Sequence, residues 1–137
     1  MNLTQESPRS PREKIADLAH LPRMIDKARA ARQNTLGEYI YPCPLDKIML
    51  EFLGVDSETF QKKACNDSEE SLSAWVQSLC ENRSLGDKDA ANNKVLKSYP
   101  DNPEKLKTFQ EILKGLDPSR TDITTWVDLI DLEEGRL

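Results

Sequence analysis

Histidine occurs once and cysteine three times in 137 residues. Cys43, Cys65 and Cys80 include no CxxC pair, and His20 alone does not complete a Cys/His zinc set with them, so no metal site is expected. An odd, widely spaced trio does not suggest a disulfide framework and points to a reducing compartment, the cytoplasm. Aromatic residues make up only 6% of the chain and the formal net charge is -5, so neither composition nor charge suits a nucleic-acid binder. No glycine-rich phosphate loop appears, and no motif identifies a cofactor. No run approaches the roughly 18 consecutive apolar residues of a membrane span. The opening MNLTQESPRSPREK lacks the apolar segment of a secretory signal.

What the sequence does contain is apolar residues at helical spacing. Leu21, Met24, Ile25 and Ala28 form one stripe behind Pro22; Leu45, Ile48, Met49, Phe52 and Leu53 form a second that Gly54 stops. Asp56 caps a short helix carrying Phe60 and Ala64. Asp67 with Glu70 reads as a capping box ahead of Leu72, Trp75, Val76 and Leu79. A weaker helix is expected from about Asp87. Asn102-Pro103 opens another, with Leu106, Phe109, Ile112 and Leu113 inward and Gly115 as its end. Thr121 is expected to cap the last helix, with Ile123, Trp126, Val127 and Ile130 inward. Ser10-Pro11-Arg12-Glu13 reads as a helix start too, leading to a short helix as far as Ala19. No strand alternation is evident. The expected fold is all-α, a single compact bundle of about seven or eight short helices over residues 10–137, preceded by a flexible tail at 1–9.

Charge is uneven. Residues 9–32 hold seven basic and three acidic side chains, and residues 117–137 hold six acidic and two basic ones. The plain reading is intramolecular complementarity and solvated helix faces. The functional reading is an anion-binding face on the helix after Pro22, where Arg23 and Lys27 are i, i+4 neighbours close to free N–H groups of the first turn.

The stretch GEYIYPCPLD, residues 37–46, follows that helix. Tyr41 and Cys43 each precede a proline, which pushes both toward extended backbone. Pro44 suits the first position of the next helix, making Cys43 its N-cap and Asp46 the residue three positions on. An extended segment would turn Tyr39, Tyr41 and Cys43 to one side. A thiol at a helix N-terminus is a candidate nucleophile, and His20 a conceivable base for it. The plainer readings are a buried Cys43, tyrosines that pack, and a histidine at a helix end or on the surface. Asp46 serves the helix dipole and opposes a thiolate. Trp75 and Trp126 read as core.

LPRMIDKARA (21–30), GEYIYPCPLD (37–46), EFLGVD (51–56) and WVDLIDLEEGR (126–136) resemble a family of small bacterial proteins, the domain of unknown function 5069 family. The resemblance implies a bacterial, cytoplasmic, stand-alone domain and carries over no mechanism, cofactor or substrate. The positions that bear the family-like pattern are Arg23, Asp26, Lys27, Arg29, Gly37, Glu38, Tyr39, Tyr41, Cys43, Pro44, Asp46 and Gly54. Three functional expectations follow. The first is a module binding a small anionic ligand or a protein partner through Arg23, Lys27, Tyr39, Tyr41 and Cys43. The second is a thiol-dependent enzyme using Cys43. The third is a structural or assembly protein whose basic and acidic ends meet between subunits.

Overall fold

The computed structural model describes residues 1–137 and is all-α apart from one two-stranded ribbon. Its contacts divide it into two compact units, residues 1–95 and 96–137, where the sequence suggested one domain. The first unit contains β1 (Lys14–Ile15), β2 (Leu18–Ala19), α1 (Leu21–Arg32), α2 (Pro44–Leu53), α3 (Ser57–Asn66), α4 (Glu69–Leu79) and nearly all of α5 (Leu85–Leu96). The second contains α6 (Pro103–Leu116) and α7 (Trp126–Glu133).

The helix expected over residues 10–19 does not form. The Ser10–Glu13 box is present as a turn: Ser10 N–H donates to Glu13 Oε2 at 3.2 Å and Arg12 N–H to Ser10 Oγ at 3.1 Å. Beyond it the chain folds back as an antiparallel hairpin pairing Lys14 with Ala19 and Ile15 with Leu18. Ala16 and Asp17, both at positive φ (53° and 64°), make the two-residue turn. The cause lies more than 70 residues away, on α5. Asn92 accepts from Ala19 N–H at 2.8 Å and donates to Asp17 O at 2.9 Å, and Lys88 donates to Ala16 O at 3.0 Å. These bonds satisfy backbone groups that a hairpin leaves open, so a long-range contact overrides the local helix signal.

Residues 1–9, expected to be a tail, pack against the first unit. Leu3 and Pro8 are buried, and Leu3 N–H donates to Thr35 O at 2.9 Å. Arg9 holds Asp26 of α1 through Nε and Nη2, each at 3.0 Å, and pairs with Glu69.

α1 is the axis of the first unit. Every residue from Leu21 to Ala28 is buried, including Arg23, Asp26 and Lys27. Buried charges need partners, and each has one. Asp26 takes Arg9, and Arg23 donates from Nη1 to Arg9 O at 3.2 Å. Lys27 turns inward to the site described below. Arg29, half-buried, caps α3 by donating to Ala64 O at 2.8 Å and Asp67 O at 3.0 Å.

α2 starts at Pro44 and stops at Gly54, whose φ of 72° is the left-handed C-cap that glycine favours. Asp56 caps α3 as expected, its carboxylate accepting from Thr59 N–H. α4 is capped by Ser68 and not by Asp67, whose carboxylate goes to Lys63. Trp75 is only half-buried, tilted against Phe60 at 6.1 Å between ring centroids.

In the second unit Asn102 caps α6, accepting from Lys105 N–H. Thr125, not Thr121, caps α7, in a reciprocal box with Asp128. Phe109, Ile123 and Leu129 form the core, with half-buried Leu113, Trp126 and Leu132 against them; Trp126 meets Phe109 edge-on at 5.1 Å. Leu106 and Ile112, expected inward, are exposed. The acidic residues pair locally: Arg120 takes Asp122, and Arg136 takes Asp131 and Glu134.

Candidate functional site

The site is built on the junction of β2 and α1, the inner face of α1, and the start of α2. Asp46 is its centre. As the third residue of α2 it reaches back and accepts from Cys43 N–H at 2.9 Å, as its spacing from the N-cap requires. The same oxygen, Oδ2, accepts from Lys27 Nζ at 2.7 Å. The other oxygen, Oδ1, lies 2.6 Å from His20 Nε2. A carboxylate only accepts, so Nε2 carries the proton and Nδ1 is the bare nitrogen. Nδ1 is buried and has no hydrogen-bond partner.

Lys27 is 2% exposed, and His20 and Asp46 are 0% exposed. All three ammonium hydrogens of Lys27 have acceptors: Asp46, Ile40 O at 3.0 Å and Cys43 Sγ at 3.2 Å. The result is a continuous chain of contacts, His20–Asp46–Lys27–Cys43, running from a fully buried imidazole to a half-buried thiol.

Protonation follows from burial. Loss of water pushes the His20 pKa below its ordinary value; Asp46 pulls the other way, and the charges of Lys27 and Arg23 reinforce the drop. Burial alone would raise Asp46, but the hydrogen bond from His20 and the charge of Lys27 together hold its carboxyl at about 2. At neutral pH the cluster therefore sets a neutral imidazole and a carboxylate beside Lys27.

His20, Cys43 and Asp46 present a nitrogen, a sulfur and an oxygen within 4.8 Å of one another, a mixed donor set of the kind that holds a divalent metal. Here Lys27 already supplies a positive charge to two of those donors.

The five residues singled out in the sequence are held by different partners. The Tyr41–Pro42 peptide bond of the connector is cis, and the three side chains expected on one side are bonded to three different partners. Tyr39 donates its hydroxyl to Ser7 Oγ at 3.2 Å, and its ring lies 5.4 Å from the Arg23 guanidinium carbon. Tyr41 donates its hydroxyl to Ser57 O at 2.7 Å; burial and the nearby carboxylate of Asp46 raise its pKa. Arg23 is itself buried, so neither tyrosine hydroxyl nor Arg23 stands out as an open donor face. Lys27 and Cys43 do come together.

His20 is neither a surface residue nor a helix C-terminal partner. It is the N-cap of α1, at φ 73°, and wholly enclosed. Its contact with Asp46 left no mark in the sequence, because the two lie 26 residues apart in unrelated elements.

A family model described as a domain of unknown function, DUF5069, matches residues 5–136. The chain belongs to that family. No curated protein matches it.

Proposed function

We propose that this DUF5069 family member is a small-ligand-binding module whose point of contact is the Cys43 thiol at the start of α2. One observation carries the reading: the Lys27 ammonium, otherwise sealed from solvent, donates to Cys43 Sγ at 3.2 Å, and Sγ belongs to a half-buried residue. A cation beside a sulfur at a helix N-terminus makes that sulfur a contact point for an anionic or electrophilic ligand. Asp46, within 4.8 Å of Sγ, puts a negative charge near the same point, and Lys27 lies between the two as their shared cationic partner. The bonds of Tyr41 and Arg23 to backbone carbonyls place less weight on them than on Lys27 and Cys43.

The thiol-dependent enzyme is the second reading and rests on the same contact; it adds the demand that a ligand bound at Cys43 be turned over. All three cysteines are free, which supports a reducing, cytoplasmic setting, and no helix is long and apolar enough to cross a membrane. A bacterial origin and a small anionic ligand or protein partner belong to the same proposal.

The test is peptide-resolved alkylation of the intact protein with iodoacetamide at pH 7. Cys65 is exposed and serves as the internal reference. Cys43 is expected to react faster than Cys65 despite its lower exposure. Reaction slower than Cys65, at the pace of the buried Cys80, removes the proposal.

A further inference from the structure

The C-terminal ends of α1 and α3 flank an open cleft of about 520 Å³, separate from the Cys43 site. Its polar lining is Arg29, Arg32, Gln33, Asn66 and Asp67. That volume lies within the range of roughly 300–1,000 Å³ typical of small-molecule sites. We infer that this cleft binds a small organic anion through a phosphate or carboxylate group.

The charge count supports it. Asp67, the one acid of the lining, is paired with Lys63 at 3.0 Å. Arg29 and Arg32 then leave two positive charges. The ends of the two helices subtract about half a charge each, leaving roughly one positive charge in a chain whose net charge is -5. An anion is therefore drawn by the local arginines against the field of the whole molecule.

Geometry supports it as well. Arg29 is fixed by its two bonds to Ala64 O and Asp67 O, which use two of its five N–H groups. A guanidinium already held in place loses little freedom when it takes a ligand. Arg32, exposed one turn further on, makes no ion pair and completes a two-arginine grip suited to the fork geometry of an oxyanion. Gln33 and Asn66 add amides that can donate to or accept from hydroxyl groups on the ligand body.

The experiment titrates the ¹⁵N-labelled full chain with inorganic phosphate and, separately, with succinate, holding ionic strength constant with sodium chloride. Saturable amide shifts confined to residues 29–33 and 64–67 are expected with at least one probe, and the better probe tells phosphate from carboxylate. Arg32→Gln is expected to weaken that binding about tenfold. Lys94→Gln makes the same charge change outside the cleft and is expected to leave it unchanged. Shifts that grow linearly without saturating, or equal weakening in both variants, overturn the inference. Neither outcome touches the reactivity of Cys43.

Discussion

His20 and Asp46 meet at 2.6 Å in a place neither shares with solvent. Through its other oxygen Asp46 also holds Lys27 and the N-cap of α2, so one carboxylate ties the β2–α1 junction, α1 and α2 together.

Removing that carboxylate strands a buried ammonium. Asp46→Asn is expected to cost about 3–5 kcal/mol in urea unfolding. Lys27→Met strands the carboxylate instead. The double variant is expected to fall short of the sum of the single losses by about 1–3 kcal/mol. Strict additivity would show that the pair is not coupled.

The pH dependence of stability has two steps. His20 is held below its ordinary pKa in the folded chain, whereas the unfolded chain protonates at about 6.5. Stability from this group is full above that pH and declines as pH falls below it. Asp46, held at about 2, adds stability that is full above the unfolded value of about 3.9 and is lost as pH falls toward 2. Unfolding free energies measured from pH 7.5 to 3.5 are expected to show the upper step in the native chain and to lose it in His20→Gln. The same decline in both would assign it to other groups.

Gly37 and Gly54 both adopt positive φ, 62° and 72°, but only Gly37 is crowded. A Cβ there would lie 3.0 Å from Leu3 O, whereas nothing stands within 4 Å at Gly54. Gly54→Ala is expected to cost the backbone penalty alone, about 1 kcal/mol. Gly37→Ala is expected to cost more, because the N-terminal segment must shift. Thermal melts of the two variants rank them, and equal losses would mean that residues 3–4 do not press on Gly37.

Leu3 is 4% exposed. Leu3→Ala is expected to destabilise the protein by about 2 kcal/mol or more. A frayed tail would show no change in the same denaturation curve.

Much of the architecture was legible because it is local. Pro44, Asp46 and Gly54 bound α2, and Asp56 and Asn102 cap their helices, through contacts within four residues. Choices between nearby candidates were less legible: Ser68, not Asp67, accepts from Ser71 N–H while Asp67 takes Lys63, and Thr125, not Thr121, accepts from Asp128 N–H. Cys43 as an N-cap facing Asp46 could be read from spacing. The convergence of His20 and Lys27 on that carboxylate could not.

The sequence by itself determined an all-α chain, the helix stripes and the stiff start of α2, since periodicity, proline and glycine act on the backbone where they stand. Only the tertiary structure decided that residues 14–19 become a hairpin, because Asn92 and Lys88 reach them from α5. It alone also decided that a helix with five charged side chains would bury three of them, because the partners, Arg9 and Asp46, come from outside that helix. A buried charge is tolerated only where such a partner arrives, and chain packing, not local spacing, brings it there.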